Sequence, residues 1–228
     1  DGAQERQVTQ EIEDALLRYI RRNPQGEHRA EVEYYLGSHY LSLPAPETER
    51  AMLHFVRQFY LFPDPTFSPA SRRAAVSIVQ RHRKDWSEDR ELLLSMIERT
   101  ENATAAGEEQ LRNYLEEFGR LEHDAFRRLY VEEAKRVSGE APHSPIADDA
   151  LYSAAWQLER IKEIEDAVIT YTQLAALYPE SELWAASVLR IALLLEGELD
   201  EPRYAQRFYQ RIVEQAPDTK VIMLTSYA

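Results

Sequence analysis

Apolar residues recur at three- and four-residue spacing along nearly the whole chain, and the alternation of β-branched with polar residues that marks strands is almost missing. That period is one face of a helix, so the expected fold class is all-α. The helices themselves repeat. Pro142, Pro179 and Pro217 lie 37 and 38 residues apart. The same offset carries Ser144 to Ser181, Ala155 to Ala192 and Leu158 to Leu195, and after a one-residue insertion Ala167 to Ala205 and Tyr171 to Tyr209. A period of this length marks a stacked array of helix pairs, each leaving an apolar face that its neighbour covers.

The residue types fit such units. Ala155 or Ala192 lets the two helices of a pair approach closely, and Ala167 or Ala205 does the same from the second helix. Tyr171 or Tyr209, four residues on, lies on the same face and fills the space beside the contact. The proline eight residues further cannot continue a helix and marks the turn to the next unit. Ser144 before Pro145, and Ser181 before Glu182, are suited to starting the following helix. A looser copy lies near the N-terminus. There Leu36, Gly37 and Tyr40 precede Ala51, Phe55 and Pro63, with SLPAPET lengthening the turn between the helices. The pentapeptide EIEDA occurs at 11–15 and at 163–167. Both copies are expected to form the acidic first turn of a second helix, with Ala15 or Ala167 as its packing alanine.

Between the two regions the helical pattern continues without the repeat. Ser68 with Pro69, and Ser87 with Glu88 and Asp89, are competent helix starts, and further helices are expected around LLLSMIERT, LRNYLEEF and HDAFRRLYVEEAKRV. TENATAAGEE is a break, and SGEAPHSP, rich in Pro and Ser, is the expected hinge. The organisation read from this pattern is degenerate repeat helices over 1–66, a helical middle segment over 67–141 and a repeat array over 142–228.

Composition narrows the function. The chain has 228 residues, a formal charge of −13 and no cysteine. An acidic chain repels a phosphate backbone, so nucleic acid is not an expected partner. Without cysteine there is no disulfide frame, thiolate metal site or cysteine nucleophile. No apolar run approaches the ~20 residues of a membrane span. The ends DGAQERQ and LTSYA, neither an initiator Met nor a leader, are expected to lie inside a longer protein.

No phosphate loop, HExxH motif or helical Glu-x-x-His is present; EAPH at Glu140 to His143 crosses a proline. The six scattered histidines are expected at the surface or in packing. The acidic pairs Glu132–Glu133 and Asp148–Asp149 are expected on solvated helix faces. RHRKDW, with Arg81, His82, Arg83 and Lys84, is the best local anion patch, or else a cationic helix end facing the dipole. Asn102 with Thr104 forms a glycosylation sequon.

The pattern of Ala154, Ala155, Leu158, Ala167, Tyr171 and Pro179, then Ile191, Ala192, Leu195, Ala205, Tyr209 and Pro217, resembles the tetratricopeptide repeat. Its style is similar to that of the bacterial envelope repeat proteins of the BamD and Tol-Pal associated type. The resemblance implies a right-handed superhelical array of antiparallel helix hairpins, an α-solenoid, whose first helices line a concave groove. Positions matching the family's ligand-contacting face are Asp149, Tyr152, Trp156 and Arg160, which helical spacing places on one side. Leu151, Ala154, Ala155 and Leu158 then face the partner helices. Tyr152 and Trp156 either anchor a peptide or protein partner, or seal the neighbouring unit.

The function implied is a non-enzymatic interaction scaffold in the bacterial cell envelope, periplasmic or outer-membrane-associated, with a cytoplasmic location as the alternative. It has no catalytic residue, cofactor or metal, and meets a membrane only through a partner or a lipid anchor. A helical accessory region of a larger enzyme, such as a cell-wall lytic enzyme, is the alternative function.

Overall fold

A computed structural model describes residues 2–100 and 107–215, with side chains from Gln7 onward. Among them are eleven α-helices and no strand: α1 (Gly2–Arg22), α2 (Arg29–Ser42), α3 (Thr48–Leu61), α4 (Ser68–Arg81), α5 (Arg90–Arg99), α6 (Glu108–Phe118), α7 (Asp124–Glu140), α8 (Ala147–Arg160), α9 (Ile164–Leu177), α10 (Trp184–Gly197) and α11 (Pro202–Gln215). The all-α expectation holds, and within each unit most helices pack chiefly on their neighbours in the chain, as in a helical solenoid. The sequon at Asn102 and the repeat proline Pro217 lie outside the described residues. None of the described helices is long and apolar enough to cross a membrane.

The chain forms two compact units, Asp1–Leu129 and Tyr130–Ala228. In the first, α2 packs on α3 and α3 on α4, with α5 and α6 also against α3. α3 is consequently buried on every side from Ala51 to Leu61. The crossing of α2 and α3 depends on Gly37, because a Cβ there would stand 2.7 Å from the Phe55 ring. Gly37 is therefore the small residue that the repeat pattern requires, with Phe55 as the aromatic laid over it.

Burying a whole helix traps its polar side chains, and each needs a partner. His54 and Arg57 of α3 meet Glu33 of α2. Glu33 Oε2 lies 2.6 Å from His54 Nδ1 and 3.8 Å from Arg57 Nη1, while Arg29 Nε donates to Glu33 Oε1 at 2.8 Å. Gln58 donates to Phe62 O and Ser68 Oγ, tying the end of α3 to the start of α4. Burial by itself would raise the Glu33 carboxyl, but Arg57, His54 and Arg29 outweigh it and hold it down at about 2.

The start of α7 is held by a residue distant in sequence. Asp89 stands at the N-cap of α5 but makes no side-chain cap bond there; its buried carboxylate instead accepts from the backbone N–H of Glu122 at 2.6 Å and of His123 at 2.9 Å, at the start of α7. This is N-terminal anion stabilisation supplied from 33 residues away. The RHRKDW segment closes α4 with Arg81 in its last turn and then turns Trp86 into the core, stacked on His82 and edge-on to Phe126.

The second unit holds two hairpins, α8–α9 and α10–α11, with α9 also on α10. Leu151, Ala154, Ala155 and Leu158 of α8, and Ala167, Tyr171 and Leu174 of α9, are buried between them. The turns inside both hairpins place a residue in the left-handed region, Lys162 at φ 63° and Asp200 at φ 53°. Ser181 Oγ accepts from the N–H of Leu183, and Ser144 begins the corresponding turn before α8.

Two expectations are corrected. The first EIEDA lies in the middle of α1 and leaves Ala15 exposed, whereas the second begins at the cap of α9 and buries Ala167. The same five residues differ because only the second follows a tight turn that aims its alanine at a partner helix. Glu133 is fully buried rather than solvated, bonded to Arg136 at 2.7 and 3.1 Å.

Gly37→Ala is predicted to lower stability by about 1–3 kcal/mol, since the Phe55 ring must move out of a packed core. Urea unfolding checks this, and an unchanged midpoint would show the α2–α3 crossing to be loose. Glu33 gives a pH signature of known sign. Its folded pKa lies below the ordinary 4.5, so its contribution is present above that pH and is lost as pH falls toward about 2, on the order of 3 kcal/mol in all. Urea midpoints across that window should fall more steeply for wild type than for Glu33→Gln; parallel curves would contradict the assignment.

Candidate partner-binding face

The four residues singled out from the sequence all lie on α8, at successive steps of three, four and four positions. Asp149 is exposed in the first turn and Tyr152 is half-buried. Trp156 is 44% exposed, against 1% for Trp86 and 5% for Trp184, so it is the one tryptophan of three at the surface. The Arg160 guanidinium lies 4.7 Å from the Trp156 ring centroid. A cation over an indole face holds both side chains in place at a cost below that of two free ones.

Tyr152 differs from its neighbour on this face. Its ring meets Tyr171 edge-on at 5.3 Å. In the first unit, Tyr34 stands three residues before Gly37 as Tyr152 stands before Ala155, and its ring meets Phe55 at 6.2 Å. The two hairpins thus repeat one contact, a tyrosine of the first helix against the aromatic of the second. Tyr152 fills its own hairpin, and Trp156 is left facing outward.

Behind the face sits a joint that the sequence reading missed. Glu159 Oε1 accepts from Tyr171 OH at 2.8 Å and from Arg190 Nε at 3.1 Å, and Arg190 Nη2 also reaches Oε2. One carboxylate therefore joins α8, α9 and α10. Burial and this hydrogen bond hold the Tyr171 phenol well above its usual range, and the hydrogen bond to Glu159 raises the Arg190 guanidinium. The next hairpin repeats half of the joint: Tyr209 OH donates to Glu196 Oε2 at 2.8 Å. Burial, then the Glu196 contact, pushes that phenol up to about 12. Glu159 and Glu196 are 37 apart, so the offset that matched the alanines also held this signal.

The same offset extends the face onto α10. Trp156 corresponds to Leu193, which is 42% exposed, and Tyr152 to the half-buried Leu189. At the near end, Ser181 Oγ donates to Asp148 Oδ2, fixing the start of α8 to the turn before α10. Asp149, Glu180 and Glu182 are exposed around that contact. At the far end Lys162 lies 3.6 Å from Glu198.

Among protein-family models, the tetratricopeptide repeat matches residues 149–181, which cover α8 from its third residue, α9 and the turn toward α10. No curated protein and no solved structure matches the chain.

The two sides of α8 are predicted to respond differently to truncation. Glu159→Ala leaves the Arg190 guanidinium and the Tyr171 hydroxyl without their shared acceptor and should cost about 1–3 kcal/mol. Trp156→Ala, at an exposed site, should stay within about 0.5 kcal/mol. Urea unfolding of both variants decides it. Equal losses would mean that Trp156 is structural packing.

Proposed function

We propose that this protein is a non-enzymatic interaction scaffold which receives a segment of a partner protein on the α8–α10 face of its second unit. The tetratricopeptide repeat at 149–181 supports an interaction module. The observation that carries the site is the contrast within α8. Ala154 and Ala155 are fully buried against neighbouring helices, while Trp156, the next residue, stays out with Arg160 stacked on it. A large aromatic held rigid at the surface offers contact area at low entropic cost, the usual character of an interface anchor. The role in bacterial envelope assembly or maintenance, and the periplasmic or outer-membrane-associated location, are part of this proposal and follow from the style of the repeats.

A photoreactive phenylalanine analogue placed at 156 in the source cells should yield a discrete crosslinked adduct, and the same analogue at Ile169, 60% exposed on α9, should not. Equal adducts from both positions, or none from 156, would remove the face assignment. Recovery of the protein with the cytosol rather than the envelope fraction would remove the location.

A further inference from the structure

Charge is unevenly placed around the α8–α10 face, and this bears on what it accepts. From Pro142 to Gln215 the chain has 13 Asp and Glu against 6 Lys and Arg. At one rim the Ser181–Asp148 contact gathers Asp148, Asp149, Glu180 and Glu182 with no Lys or Arg among the intervening turn residues. The opposite rim is mixed: Arg160, stacked on Trp156, and Lys162, beside Glu198, stand among Glu163, Glu196, Asp200 and Glu201. Between the rims lie Trp156 and Leu193, both more than two-fifths exposed.

Resting on the reading of this face as a binding surface, we infer that its partner is a cationic segment: a bulky apolar residue seats on Trp156 and Leu193, and a Lys or Arg lies toward Asp149. An acidic segment would meet repulsion at the carboxylate rim, and a second copy of this chain, at −13 overall, would meet it generally. The spacing follows from the helix. Asp149 and Trp156 are seven residues apart, about 10 Å along the axis, which an extended peptide covers in roughly three residues. The cation and the apolar anchor of the partner are therefore three or four positions apart.

Selection from a random dodecapeptide display library, against wild type and Trp156→Ala in parallel, tests this. The expected result is a set of Trp156-dependent peptides sharing a bulky apolar residue with Lys or Arg three or four positions away. Trp156 fluorescence should then report their binding, since the other two tryptophans are buried. For a selected peptide, Asp149→Asn or Glu182→Gln should each raise Kd about two- to five-fold at low salt, with a smaller effect at high salt. Trp156-dependent peptides without a basic bias would overturn the inference on charge and leave the face intact. Peptides whose selection ignores Trp156 would overturn the face itself, and the inference with it.

Discussion

A pair of short helices can hide only the strip between them, and that constraint orders this molecule. α8 and α9, fourteen residues each, bury their alanines and Tyr171 against one another and still leave apolar surface that only a further helix can cover. α10 supplies the cover for α9, and α11 for α10. The Glu159 carboxylate, reached by Tyr171 from within the hairpin and by Arg190 from the next one, makes the dependence explicit: the fold of one unit is completed by a side chain of its successor.

The first unit answers the same constraint with a different balance of forces. α3 is enclosed on all sides, so its polar residues are trapped, and His54 and Arg57 gather with Arg29 around the buried Glu33 carboxylate. Ion clusters of this kind add little net stability over apolar packing, but removing one member leaves uncompensated buried charge. Register between α2 and α3 is thereby fixed twice, by the fit of Phe55 over Gly37 and by the charges around Glu33.

How much of this was legible in the sequence depends on range. Helix identity, the hairpin positions of Leu36, Gly37, Ala51, Phe55, Ala155 and Ala167, and the buried side of α8 all follow from local periodicity, and the structure has them as expected. EIEDA shows the limit: identical residues bury an alanine at 167 and expose one at 15, because the deciding partner lies outside the pentapeptide. Glu133 was hidden for the same reason. The joints are all distant in sequence: Glu33 to His54 over 21 residues, Glu159 to Arg190 over 31, Asp89 to Glu122 over 33. No periodicity of a single helix encodes such pairs. On the candidate face, the residues were visible but their division of labour was not, since Tyr152 and Trp156 share a helical side and differ only in whether Tyr171 stands beneath them.

The central claim, that neighbouring hairpins complete one another through Glu159, is tested most directly by a double-mutant cycle between Glu159→Gln and Arg190→Met in urea unfolding. The account predicts a coupling of about 1–2 kcal/mol between α8 and α10, because the pair is charge-assisted and the carboxylate is largely buried. Additive losses, with no coupling, would contradict it.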